Sequence, residues 1–84
     1  MVKIYSTSWC PSCVSAKRLL KEKNIQFEEI NIEELDMSRE QLFETTGGMS
    51  VPQIIIKNRS IGGFDDLLRL SQSGELDTML KSWN

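Results

Sequence analysis

The chain has 84 residues, 39% of them hydrophobic, which suits one small domain with its own core. Its 12 acidic and 10 basic residues give a net charge of −2, which excludes the bulk attraction of a basic chain to nucleic acid or an anionic membrane. The first residues lack a secretory signal pattern, and no segment reaches the roughly 18 apolar residues of a membrane span. We therefore expect a single cytoplasmic domain over residues 1–84, acting as a monomer.

The first half of the sequence switches twice between strand and helix patterns. Val2–Ser6 alternates as a short strand does, and from Pro11 the apolar residues take helical spacing until about Asn24. Alternation returns over Gln26–Asn31. Ser38-Arg39-Glu40-Gln41 then has the form of a capping box, which predicts a short helix that stops by the next pair of glycines.

The second half predicts a hairpin followed by a helix. Val51–Ile56 is a β-rich apolar run, and a polar turn separates it from a brief return strand at Ser60–Ile61. Helical spacing resumes at Phe64, after two glycines, and Glu75–Trp83 adds a last turn or two. The order β-α-β-α-β-β-α, with right-handed crossovers, predicts an α/β fold in which helices flank a four-stranded mixed sheet.

Both cysteines of the chain lie in Cys10-Pro11-Ser12-Cys13, at the start of the first predicted helix. A closed zinc site needs four ligands, and a chain without histidine or a second cysteine pair cannot supply them, so we expect no metal. Two buried structural thiols, or a stapling disulfide across so short a loop, are weaker alternatives. The pattern favours a redox-active pair.

The helix start assigns different roles to the two thiols. Cys10 faces unpaired backbone N–H groups and the positive end of the helix dipole, both of which stabilise a thiolate. Cys13 lies one turn further in, on the same face and close enough to form a disulfide. We therefore expect Cys10 to be the nucleophile and Cys13 the resolving thiol.

Two later motifs have the chemistry to bind an extended peptide with charged ends. At Ser50-Val51-Pro52 a cis bend would turn the backbone of Val51 outward for pairing, although an ordinary edge-strand start is equally consistent. Gly62-Gly63-Phe64-Asp65-Asp66 offers free N–H groups for a carboxylate and acidic side chains for an ammonium group. An ordinary helix cap would also explain those two aspartates.

Together the three motifs, in this order and spacing, closely resemble those of the glutaredoxins, and the resemblance covers Val2 to about Leu80. It implies a thioredoxin-like fold and a glutathione-disulfide oxidoreductase, with glutathione as co-substrate and glutathionylated or disulfide-bonded proteins as partners. Cys10 and Cys13 would be catalytic. The implied glutathione-binding residues are Ser12, Ser50, Val51, Pro52, Phe64, Asp65 and Asp66.

The sequence departs from the glutaredoxin pattern where the family often has a lysine, an aromatic residue and a basic residue. Those places hold Thr7, Ser12 and the segment 47–49. Arg39 or Lys17 could instead hold the glycyl carboxylate of glutathione, although both also suit a solvated helix face. Trp9 suits either a docking surface for proteins or a partly buried anchor.

Two other functions fit the same motifs. One is an electron carrier reduced by thioredoxin reductase, although such proteins tend to lack an acidic site like Asp65-Asp66. The other is an iron-sulfur carrier in which Cys10 of two subunits and two glutathiones hold one cluster. Pro11 argues against the cluster by resemblance, whereas the small Ser12 leaves room for it.

Overall fold

A computed structural model of the chain describes residues 2–81. Eight elements follow one another: β1 Val2–Ser6, α1 Pro11–Glu22, β2 Phe27–Asn31, α2 Arg39–Thr46, β3 Gln53–Ile56, β4 Arg59–Gly62, α3 Phe64–Ser73 and α4 Glu75–Lys81. Within residues 2–81 no helix is long and apolar enough to cross a membrane. The predicted last helix extended to Trp83, which lies outside the described residues.

The strands form one four-stranded mixed sheet in the order β2-β1-β3-β4. β1 pairs in parallel with β2, which requires the crossover helix α1 between them, and pairs antiparallel with β3. β3 and β4 form an antiparallel hairpin with an irregularity between Ile54 and Ile55. This sheet confirms the predicted fold class.

The alternation of β1 divides the core into two clusters. Val2 and Ile4 are buried in the larger cluster, together with residues of β3, α1, α3 and α4, whereas Tyr5 belongs to a smaller cluster with Leu42 of α2. Leu20 and Leu67 are fully buried in the larger cluster, and burial of such a side chain contributes about 1.5–3 kcal/mol. The sheet is thus held from both sides, and the ends of its central strands are fixed in place.

The structure differs most clearly from the prediction in three places. β3 begins at Gln53 rather than at Val51, because Pro52 has no N–H to donate to the ladder. The hairpin turn is shorter than predicted, since Lys57 and Asn58 both have positive φ, of 52° and 67°, as a two-residue turn requires. The last helical region is two helices instead of one, because Gly74 takes a left-handed conformation with φ 84° between α3 and α4.

Candidate active site

Cys10 is the N-cap of helix α1. Its backbone is extended, with φ −155° and ψ 98°, and Pro11 follows as the first helical residue. The Sγ atom of Cys10 accepts a hydrogen bond of 3.1 Å from the backbone N–H of Cys13. The sulfur therefore occupies the place that a serine or aspartate oxygen usually takes at a helix start, where partial positive charge is concentrated.

Cys10 and Cys13 are joined by a disulfide bond, with their Cα atoms 5.1 Å apart. This confirms that one helical turn brings the two sulfurs within bonding distance. Cys13 is 1% exposed, whereas Cys10 is partly exposed. A reactant from solution therefore reaches the sulfur of Cys10 before that of Cys13.

The loop before Cys10 is held by polar residues from the end of β2 and just beyond it. The backbone N–H of Ser8 donates to Glu33 Oε1 at 2.8 Å, and Asn31 Nδ2 donates to Ser8 Oγ at 3.1 Å. The hydrogen bond from the Ser8 backbone holds the pKa of Glu33 below its usual range. Local sequence patterns do not show these contacts, because 23 to 25 residues separate the partners.

The Ser50-Val51-Pro52 bend lies next to the disulfide. The Val51–Pro52 peptide bond is cis, and Cys10 Sγ lies 3.7 Å from the carbonyl oxygen of Val51. Pro52 is buried and Val51 is partly exposed. Packing of Pro52 therefore fixes the bend, while the backbone of Val51 faces the sulfur of Cys10.

Helix α3 begins at the other side of the same region. Gly63 is its N-cap and has no side chain to bond the first N–H groups of the helix. Asp66 Oδ2 accepts the Gly63 N–H at 3.1 Å, and Asp66 also forms an ion pair of 3.5 Å with Arg69. The Asp66 carboxylate is thus partly used within the protein, whereas Asp65 is exposed to solvent.

One open cavity of about 260 Å³ joins these features. All seven residues that the sequence analysis named as glutathione-binding line it, and Gly63 is the additional lining residue. The lining residues are Ser12, Ser50, Val51, Pro52, Gly63, Phe64, Asp65 and Asp66. Helix α1, the proline bend and helix α3 thus meet around a space large enough for part of a small peptide.

The two basic candidates named from the sequence lie in different surroundings. Arg39 Nη1 donates to the carbonyl oxygen of Met49 at 3.2 Å, next to the proline bend. Lys17 Nζ forms an ion pair of 2.8 Å with Glu29, whose pKa it lowers together with a hydrogen bond from Ser6. Trp9 is 88% exposed beside Cys10, so it is a surface residue rather than a buried anchor.

Comparison with known proteins gives the family. The glutaredoxin family model matches residues 2–61. A glutaredoxin of Pseudomonas aeruginosa is 42% identical over 81 residues, covering 96% of this chain and 96% of that protein. Glutaredoxin 3 of Escherichia coli is 42% identical over 80 residues, covering 95% of this chain and 96% of that protein.

Solved structures agree with the sequence relatives. The solution structure of a glutaredoxin from Brucella melitensis has a TM-score of 0.80 and 40% identity, covering 99% of this chain and 90% of that one. A buckwheat glutaredoxin–glutathione complex has a TM-score of 0.87 and 25% identity, covering 96% of this chain and 76% of that one. The chain belongs to the glutaredoxin family, and it is a thiol–disulfide oxidoreductase of the thioredoxin fold with one disulfide-forming cysteine pair.

Proposed function

We propose that the protein uses glutathione to reduce mixed disulfides of glutathione with proteins, as well as disulfides within proteins. The observation that carries this proposal is the cavity beside Cys10, which offers backbone groups, free helix N–H groups and a solvent-exposed carboxylate. The cysteinyl part of glutathione would pair with the Val51 backbone. Its γ-glutamyl carboxylate would meet the first N–H groups of α3, and its ammonium group would meet Asp65.

The reaction with a glutathionylated protein has two exchange steps. The Cys10 thiolate attacks the sulfur of the bound glutathionyl group, the old disulfide breaks, and the protein leaves as a thiolate that takes up a proton. A second glutathione thiolate then attacks the glutathionyl sulfur on Cys10, which yields oxidised glutathione and frees Cys10. The terminal N–H groups of α1 stabilise the Cys10 thiolate and so make it a good leaving group.

A disulfide within a protein would use both cysteines. Cys10 attacks one sulfur and forms a mixed disulfide with the protein, and Cys13 then attacks Cys10 to release the reduced protein. The product is the Cys10–Cys13 disulfide, the state present in this structure. Two glutathione molecules restore the dithiol. The first attacks Cys10, which frees Cys13, and the second attacks the glutathionyl sulfur on Cys10, which frees Cys10 and yields oxidised glutathione. Because the cycle needs a reduced glutathione pool, we place the protein in the cytoplasm. Both cysteines and the cavity belong to one chain, so we expect a monomer to carry out the cycle.

Arg39 would hold the glycyl carboxylate of glutathione. The positions at which the family often has a basic residue hold Thr7 and segment 47–49 in this chain. Arg39 already reaches Met49, one residue from the bend, whereas Lys17 is occupied by Glu29. We expect Arg39→Gln to raise the KM for a glutathionylated peptide about 2- to 5-fold, the range of an exposed ion pair. Lys17→Gln is the matched control and leaves that KM unchanged. A larger effect of Lys17→Gln would move the subsite to helix α1.

The proposal is tested by NADPH-coupled reduction of a glutathionylated peptide, with glutathione and glutathione reductase, for the wild type and Cys13→Ser. We expect both proteins to be active, because only Cys10 is needed for this substrate. With a peptide disulfide as substrate, Cys13→Ser should lose most of its activity. Absence of glutathione-dependent activity in both proteins would refute the proposal, and reduction by NADPH and thioredoxin reductase would then be measured as the leading alternative.

A further inference from the structure

The proline bend is supported by a buried polar side chain that the sequence analysis did not name as a site residue. Gln53, the first residue of β3, is 6% exposed and pairs with Tyr5 of β1. Its Nε2 donates a hydrogen bond of 2.9 Å to the carbonyl oxygen of Ser50. The Gln53 amide therefore connects Ser50, the first residue of the bend, to the central strands of the sheet.

Gly48 leaves the space that this amide occupies. A Cβ added at Gly48 would lie 2.7 Å from Cδ and 2.8 Å from Oε1 of Gln53, which is closer than real Cβ contacts. The φ of Gly48 is not positive, unlike that of Gly47 at 85°. The reason for glycine at position 48 is therefore the side chain of Gln53 and not the backbone conformation.

Hydrogen bonds also fix the backbone at Gly48, between α2 and β3. Its backbone N–H donates to Thr46 Oγ1 at 3.2 Å, and the buried Thr46 hydroxyl donates to the carbonyl of Leu42 at 2.8 Å. Ser60 Oγ in turn donates to the Thr46 carbonyl. The buried Gln53 amide thus lies between the fixed segment at Gly48 and the bend.

We infer that Gln53 is a positioning residue for the glutathione site, acting through Ser50 on the backbone of Val51. This inference rests on the proposed function. Cys10 Sγ lies 3.7 Å from the Val51 carbonyl, so a shift of the bend changes both the pairing surface for the substrate and its distance from the reacting sulfur. Without the Gln53 amide, Pro52 stays packed, but the bend loses the hydrogen bond that fixes Ser50 relative to β3.

Two substitutions remove the same hydrogen bond in different ways. Gln53→Met keeps the length of the side chain without a donor, and Gly48→Ala displaces the intact amide. We expect each to raise the KM for a glutathionylated peptide about 3- to 10-fold, the range of one lost buried hydrogen bond, with kcat changed less than about 2-fold. In the double variant the two effects should not multiply, because both act on one contact.

Gly47→Ala is the control for a merely structural effect. A Cβ there meets nothing within 4 Å, but the positive φ makes alanine strained, so the variant loses stability. We expect lower thermal stability with an unchanged KM. Reduction of the Cys10–Cys13 disulfide by dithiothreitol, followed by Trp fluorescence, should be nearly equal in all these variants, because it needs no glutathione site.

The outcomes separate the inference from the proposed function. If the wild type shows no saturable use of the glutathionylated peptide, the proposed function fails. If the wild type saturates but Gln53→Met and Gly48→Ala keep its KM, the proposed function stands and the inference is overturned. Multiplying effects in the double variant would also overturn it, as would an equal rise of KM in Gly47→Ala.

Discussion

The two helices that border the cavity begin in different ways. In α1 the N-cap is Cys10, whose sulfur accepts an N–H of the first turn, whereas in α3 the N-cap is Gly63, which has no side chain to offer. The first N–H groups of α3 thus remain available to a ligand. The comparison shows one structural device serving two purposes, since the same partial charge stabilises a reactive sulfur in α1 and can attract a bound carboxylate in α3.

The largest effect is expected when the sulfur cap of α1 is removed. In Cys10→Ser the hydroxyl can still cap the helix, because serine is a good N-cap, so the fold should persist. Thiol transfer should nevertheless fall to the uncatalysed rate, since the hydroxyl cannot carry out disulfide exchange. Activity with the glutathionylated peptide and circular dichroism measure the two parts. Wild-type activity in Cys10→Ser would show that the nucleophile lies elsewhere.

A smaller effect is expected at the start of α3, where the two aspartates should respond differently. Asp65→Asn removes an exposed charge, so we expect the KM for the glutathionylated peptide to rise about 2- to 5-fold. Both aspartates lie in the first turn of α3, but Asp65 makes no capping bond, so this variant should lose less stability than Asp66→Asn. Asp66→Asn weakens the bond to the Gly63 N–H and lowers the charge near the helix dipole. It should cost about 0.3–1 kcal/mol of unfolding free energy.

Denaturant unfolding and the KM, measured on both variants, test this division. If Asp66→Asn raises the KM more than Asp65→Asn does, the ammonium group of glutathione lies at Asp66. The Asp66 carboxylate would then bond to the Gly63 N–H only when no ligand is bound.

The sequence alone predicted the parts of the molecule that depend on local patterns. Strand alternation and helical spacing gave the fold class, and Cys10 was placed at the start of α1 because proline follows it. The long-range polar contacts could not be found in this way. Gln53 reads as part of an apolar strand, and only the folded chain shows its amide turned toward Ser50. Likewise Gly48 reads as half of a helix stop, although its conformation needs no glycine.

The smallest effect concerns the residues just before α1 and α3. In both places a carboxylate accepts a hydrogen bond from a backbone N–H. Asp66 accepts the Gly63 N–H from three residues away, whereas Glu33 accepts the Ser8 N–H from 25 residues away. Because the bond from Ser8 lowers the pKa of Glu33 in the folded protein, the ionised carboxylate favours folding. Its contribution is therefore present in full above the ordinary value of 4.5 and is lost as the pH falls through the lowered pKa.

Glu33→Gln should remove this acid-sensitive contribution. We expect the variant to be slightly less stable than the wild type at pH 7, with the difference shrinking below pH 4.5 because the wild type then loses its ionised acceptor. Denaturant midpoints from pH 3 to pH 7 measure the difference. Glu34→Gln is the matched control, since it removes the same charge from the neighbouring position and leaves the Ser8 bond intact. An equal pH-dependent loss in Glu34→Gln would mean that general charge, rather than the hold on the loop before Cys10, determines the effect.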